Sequence, residues 1–374
     1  MASLLFGALA LRQAGRLIDA VPLPAWLSKL GYVLAGGSWI LGIAAANALE
    51  TTMAAWLTTM LVVRLVTRGP RDGWLLTGIV GALCVLARPE ALALVAALGA
   101  ASFALARDLS GRERIQWTAL PLGAWAAVEA ARIAYYGQVL PNTYVAKASP
   151  LGLAVRRGVP YLAHAIIPGS GLSGSAQAIA ADALVGVVAA LLVIGAVSII
   201  KSIPACSYVV VVVVVQVAFV IAAGGDWMIG GRFLAPVIPA AIVVEIVGLE
   251  RAGRSLHARH GVGAEPMARF SIAVMVAIAL VPLVDGHHPI WSSRGRVSDS
   301  ALIGSGDYPW SPAWQAGVRL LGCAQSGDLV ATTEIGYTGF ARRDLRILDL
   351  RGLTRPAHRP RRAGSRAQPE RGER

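Results

Sequence analysis

The sequence predicts an α-helical, polytopic membrane protein with a small extracytoplasmic α/β lobe towards its C-terminus. Of its 374 residues, 56% are hydrophobic and only 15% charged, with a mean hydropathy of +0.61. A soluble domain of this size carries about a quarter charged residues, because its surface must be solvated. The apolar residues, chiefly Ala, Val, Leu and Ile, fall in long runs, and the charges are confined to the intervals between them. Those intervals alternate in character, basic and then mixed polar, as in a chain that crosses a bilayer repeatedly.

Residues 1–28 start with a short apolar stretch, followed by Arg12, Arg16 and Asp19 and then Pro22 and Pro24. They admit two readings, an interfacial amphipathic helix or a partial span. No charged start leads to a small-residue cleavage site, so a removable signal peptide is not expected. A spanning helix needs about 20 apolar residues at about 1.5 Å rise each, and the stretch 29–285 offers about nine candidates. They are 30–48, 51–66, 75–87, 91–106, 117–136, 178–200, 206–223, 233–250 and 270–285. The run Val209 to Val215 favours a strand in water, but lipid leaves no partner for an open strand edge, so it is read as helix.

The intervals decide which ends lie together. Basic loops follow the second span (Arg64, Arg68, Arg71) and the fourth (Arg107, Arg112, Arg114). Lys201 lies between the sixth and seventh, and Arg251, Arg254, Arg259 and Arg269 follow the eighth. Strict alternation puts all of these on one side, which the excess of Arg and Lys makes cytoplasmic. A single long helix over 75–106 would break this agreement, so a hairpin turning at Arg88-Pro89-Glu90 is expected. The outer side then receives Leu49-Glu50, the hairpin turn, the interval 135–177, the loop Gly224 to Arg232 and everything after about 286.

Residues 286–354 read as the extracytoplasmic lobe, with strands over Asp328 to Glu334 and Leu345 to Leu350 separated by Gly336 and Gly339. Residues 355–374, rich in Arg with Pro, Gly and Ser, read as a disordered basic tail. That tail and the inner loops supply the net charge of +13. The basic residues punctuate apolar segments and do not interleave with aromatics on one face, so nucleic acid is not an expected partner. Cys84, Cys206 and Cys323 lie far apart and imply neither a disulfide framework nor a zinc cluster. His287 and His288 are adjacent, poor spacing for chelation even with Asp285, and no metal site is assigned; dependence on a divalent metal is left open.

The unusual polar chemistry gathers in the outer intervals. Arg88 and Glu90 flank a proline between two short apolar helices, where a planar guanidinium suits phosphate oxygens. Tyr135, Gly137, Asn142 and Lys147 place aromatic, amide and ammonium groups at one span exit, either as an interfacial belt or as contacts to a sugar or phosphate. The loop Gly224-Gly225-Asp226-Trp227-Met228-Ile229-Gly230-Gly231-Arg232 brackets four glycines with an acid and a base and offers Trp227 as a stacking platform. Glu50 starts the second span, where a carboxylate also complements the helix dipole.

Taken in order, Ala48-Leu49-Glu50-Thr51, Arg88-Pro89-Glu90, the stretch Tyr135 to Lys147, Gly-Gly-Asp-Trp-Met with Arg-Phe-Leu, Glu334 to Tyr337 and Leu348 to Thr354 form a series. That series resembles the GT-C membrane glycosyltransferases, and within them the actinobacterial terminal β-(1→2) arabinofuranosyltransferase group. The likeness runs from about 45 to 354. It implies a GT-C-like helix bundle, a polyprenyl-phosphate sugar as donor (decaprenyl-phosphoryl-arabinose), a cell-wall glycan acceptor and work at the outer face of the cytoplasmic membrane among its lipids. It further implies an inverting displacement. Asp226 and Glu50 would be the catalytic acidic residues, Arg88, Lys147 and Arg232 would hold phosphate, Glu90 would orient Arg88, and Tyr135, Asn142 and Trp227 would contact sugar. The family carries acidic residues in a first outer loop. Here the only acidic residue before Glu50 is Asp19, in no matching motif, so the chain is expected to be N-terminally truncated. Two rivals share the residues: a transporter or lipid flippase, and an inactive glycosyltransferase fragment with a scaffolding role.

Overall fold

The computed structural model describes residues 1–46, 50–67, 73–105, 110–137, 139, 150–167, 176–226, 231–260, 322–332 and 343–349. The larger of its two compact units comprises Met1–Tyr135 and Ser149–Val297; the smaller comprises Tyr136–Ala148 and Ser298–Arg374. In the larger unit, every described element is helical. In order these are α1 (Ala2–Asp19), α2 (Ala25–Gly36), α3 (Trp39–Ala46), α4 (Thr51–Thr67), α5 (Trp74–Ala87), α6 (Ala91–Leu105), α7 (Gly111–Tyr136), α8 (Leu151–Ile166), α9 (Ala176–Ser202), α10 (Ser207–Ala223) and α11 (Ile238–His260).

Among the described residues three stretches are long and apolar enough to cross a membrane: Ala25–Ala46, Ala181–Ser202 and Pro204–Ala223, the last two with mean hydropathies of 2.9 and 2.6. Thr51–Thr67, Trp74–Ala87 and Ala91–Leu105 are apolar but shorter. The chain is therefore a helical membrane protein by composition and length. Its surface agrees: along α5 Leu75, Ile79, Leu83 and Leu86 are all exposed. Water tolerates such a contiguous apolar stripe poorly, and hydrocarbon accepts it.

Local chemistry explains where the helices stop. Pro89 cannot continue α5, and the residue before it is driven out of helical dihedrals; Arg88 is extended, at φ −148° and ψ 117°. The chain turns there into α6, whose Val95 packs back against Gly81 of α5, so the hairpin is present. The valine run lies within α10 as helix. Gly224 ends α10 in the left-handed conformation, φ 75°, the usual role of a glycine after a helix.

Packing settles points that the pattern left open. Residues 2–19 are a helix set along α4, with Ala14, Leu17 and Ile18 buried; Ser3 Oγ donates to the Ala44 carbonyl, and Thr52 Oγ1 donates to the Ser3 carbonyl. Arg64, read from the sequence as part of a basic loop, is instead buried inside α4. It ties α4 to the start of α5 through Thr77 Oγ1 at 3.1 Å and the Gly73 carbonyl at 3.2 Å. The interval 135–177 contains a helix the sequence reading did not place, α8. The candidate span 270–285 and the tail 355–374 lie outside the described residues.

Two glycines bring α9 and α11 into backbone contact. A Cβ at Gly195 would lie 1.9 Å from the Val244 carbonyl oxygen, and one at Gly248 would lie 2.0 Å from that of Leu191. Small residues at a crossing are how helices associate when both faces are already apolar and lipid supplies no hydrophobic drive. In the smaller unit, β1 (Leu329–Thr332) pairs in parallel with β2 (Arg346–Asp349), with Leu329 opposite Arg346 and Thr332 opposite Asp349. Both strands fall inside the segments expected to be extended.

Replacing Gly195 by Val should separate α9 from α11. We expect a loss of at least about 2 kcal/mol, since overpacking usually costs 1–3 and here the obstacle is backbone. Thermal unfolding of the detergent-solubilised protein checks this; an unchanged midpoint would show that the two helices do not cross at these glycines.

Candidate functional site

Three inter-helical turns meet at one end of the larger unit. Each carries charge for a local reason: Glu50 precedes the first turn of α4, Arg88 and Glu90 form the α5–α6 turn, and Asp226 and Arg232 flank the glycine loop between α10 and α11. Arg88 Nε donates to Glu90 Oε1 at 2.5 Å, and its Nη1 stands 4.0 Å from Glu50 Oε1. Arg232 donates to both carboxylate oxygens of Asp226, Nη2 at 3.3 Å from Oδ1.

Phe233 joins the two halves. Its ring lies 5.2 Å from the Arg88 guanidinium carbon and 5.4 Å from that of Arg232. A ring face attracts a cation more strongly when water is excluded, and Arg88 is only 6% exposed. Phe233 is fixed in turn by Gln216 of α10, whose side-chain amide donates to the Phe233 carbonyl at 2.6 Å. Gln216 lies seven residues before the end of α10, so Phe233 is recessed about 10 Å below that end at 1.5 Å rise per residue. The chain leaves α10 at Gly224, and Phe233 lies back beside Gln216.

Tyr161 of α8 closes one side. Its ring packs on Gly225, where a Cβ would lie 2.6 Å from Tyr161 Cγ, and Gly225 holds φ +80°. Both facts require glycine: the approach leaves no room for a side chain, and the dihedral strains any other residue.

Three buried polar atoms of this region have no hydrogen-bond partner among the described residues: Arg88 Nη1, Thr51 Oγ1 and Tyr161 Oη. A buried donor without a hydrogen bond costs about 1–3 kcal/mol, more for a charged group; Arg88 Nη1, with only the 4.0 Å pairing to Glu50, keeps the capacity to donate. The two carboxylates read as bases differ. Asp226 is engaged by Arg232 with 2% of its side chain exposed, whereas the Glu50 side chain is 41% exposed.

Of the residues singled out from the sequence, Glu50, Arg88, Glu90, Asp226 and Arg232 come together. Tyr135, in the last turn of α7, is 82% exposed and is not joined to the cluster by the contacts above. Asn142, Lys147 and Trp227 lie outside the described residues, as do Asp285, His287 and His288. The sequence reading missed Tyr161 and Gln216, and it passed over Phe233. For Tyr161 a signal existed: Ala154, Gly158, Tyr161 and Ala165 repeat at helical spacing along α8, and small residues at that spacing mark a packed face. No protein-family model, curated protein or solved structure matches this chain.

Gly225→Ala should destabilise the protein by about 1–3 kcal/mol through the clash and the positive φ. Adding Tyr161→Ala should recover part of that loss, a coupling of about 1 kcal/mol in unfolding midpoints. Strictly additive effects would mean that Tyr161 does not rest on Gly225.

Proposed function

We propose that this chain is a GT-C-type membrane glycosyltransferase that takes a sugar, arabinofuranose by resemblance, from a polyprenyl-phosphate donor and passes it to a cell-wall glycan. The observation that carries the reading is Arg88, a buried guanidinium oriented by Glu90, whose Nη1 makes no hydrogen bond among the described residues and has only the long 4.0 Å pairing with Glu50. Such a donor fits a phosphate oxygen arriving from the bilayer, because a guanidinium presents paired N–H groups to phosphate. In this reading the protein is multi-pass in the cytoplasmic membrane, with the cluster and the strand-bearing lobe on the extracytoplasmic side, where the arginine-poor turns belong.

The reaction assigns each group a task. Glu50 accepts the proton of the acceptor hydroxyl as its oxygen attacks the anomeric carbon. The bond from that carbon to the phosphate oxygen breaks, and the polyprenyl phosphate leaves with the electron pair. Arg88 and Arg232 stabilise the charge gathering on the leaving phosphate, the kind of preorganised electrostatics that dominates catalysis. Asp226 orients Arg232, and Tyr161 donates to a donor oxygen. Lys147, Asn142, Trp227 and Tyr135 keep the phosphate and sugar contacts that the resemblance implies.

A transporter or flippase is the second reading, and one observation favours it. Glu245 of α11 lines a cavity of about 140 Å³ whose other walls are almost wholly apolar, among them Leu34, Val188 and Val213. An ionisable group within a membrane helix commonly marks a transport path.

One reconstitution separates the two. In vesicles supplied with polyprenyl-phosphoryl sugar and a glycan acceptor, Arg88→Gln should lower transfer by about 10²-fold or more, and Glu245→Gln should leave it near wild type. Loss of substrate passage in Glu245→Gln, with no transfer by the wild-type protein, would replace the glycosyltransferase with a transporter.

A further inference from the structure

The helix α8 has three faces, and only one of them is used by the site. Ala154, Gly158, Tyr161 and Ala165 form the packed face. Leu151, Val155 and Val159, spaced one turn apart, form an exposed apolar stripe with exposures of 69%, 39% and 50%. Arg156 and Arg157 are exposed on the remaining arc.

The depth of α8 follows from its contacts. Gly224, just past the end of α10, has Ala154 against it; Ile221 lies on Gly158; Leu162 and Ile166 share the apolar cavity with Val217 and Val213. Each step of four along α8 matches a step of three or four backwards along α10, so the two helices run antiparallel. Pro204–Ala223 is one of the stretches long enough to cross the bilayer. Arg156 and Arg157 are thus level with its last turn, where lipid headgroups lie; Leu151 stands about a turn farther out, Val155 lies at their level, and Val159 begins the part of the stripe that descends along the hydrocarbon. The next two residues of that stripe, Leu162 and Ile166, form part of the cavity wall, so groove and cavity are continuous.

We propose that α8 docks an anionic phospholipid, its headgroup phosphate on Arg156 and Arg157 and an acyl chain running inward from Val159 over Leu162 and Ile166. Neither arginine makes an ion pair among the described residues, and a partner with negative charge at their level and hydrocarbon below it matches the basic arc and the deeper part of the apolar stripe. The occupant is a membrane phospholipid, distinct from the sugar donor placed on Arg88 and Arg232. The inference needs only that the chain is membrane-embedded, and it stands whichever reaction the recessed cluster performs.

The test uses the full chain with Val159→Cys and Cys323→Ser, labelled with bimane; Cys84 and Cys206 are buried and Cys323 is exposed. Proteoliposomes of equimolar phosphatidylglycerol and phosphatidylcholine are prepared with one or the other lipid brominated, and membrane insertion is confirmed by flotation. Brominated phosphatidylglycerol should quench several-fold more than brominated phosphatidylcholine. Arg156→Gln with Arg157→Gln should bring the two to parity, each arginine contributing a preference of about fivefold. Equal quenching by both lipids in the parent protein would overturn the proposal. So would a preference that survives the double substitution, quenching by neither lipid in protein that floats with the vesicles, or a preference abolished by millimolar inorganic phosphate, which would put a free anion on the arginine pair.

Discussion

The burial of Arg88 is the constraint around which the polar end of the helix bundle is arranged. A guanidinium cannot shed its charge, so a low-dielectric position is tolerable only if neighbours answer it. Glu90 answers from the same turn, Glu50 from the start of α4, and the Phe233 ring from the loop before α11. Those three answers come from three different turns, so holding Arg88 also fixes the relative positions of the helices that the turns join. Phe233 extends the arrangement to Arg232, and Asp226 completes the second pair.

The rest of the helical unit is held by close approach. Lipid is as apolar as leucine, so a bundle in a membrane gains little from burying hydrocarbon and much from backbone proximity. Gly195 and Gly248 bring α9 and α11 together, and Gly158 lets α8 lie on Ile221. That last contact matters for the site, because it sets the depth of α8 and hence the position of Tyr161 over Gly225. A glycine that carries no chemistry thereby positions a hydroxyl that can.

The loop between α10 and α11 links packing to chemistry most directly. Gly224 ends α10, Gly225 admits the Tyr161 ring, and Gly231, at φ +62°, lies against Ala165 and Ile40. The positive dihedrals at these three described positions call for glycine, and Phe233 lies beside Gln216. The charged residues flanking the loop are drawn into the helix bundle, where their pairing is stronger than it would be in water.

The sequence by itself determined the solvent and, α8 and the N-terminal helix apart, most of the described helices and turns. Long apolar runs need lipid, Pro89 stops a helix wherever it occurs, and the valine run has no alternative to helix in hydrocarbon; these are local or compositional effects, legible one segment at a time. It also drew attention to Glu50, Arg88, Glu90, Asp226 and Arg232, because charge beside an apolar run is costly anywhere and stands out against its neighbours. What only the tertiary structure decided is which groups face one another: that Phe233 lies beside both guanidiniums, that Tyr161 belongs to the cluster, that Arg64 is buried rather than solvated, and that Asp226 is engaged while Glu50 is open. Each depends on contacts between separate elements rather than within one. An amphipathic period gives the direction of a side chain around its own helix, while the depth and crossing of the helices, set here by glycines in backbone contact, decide what it meets.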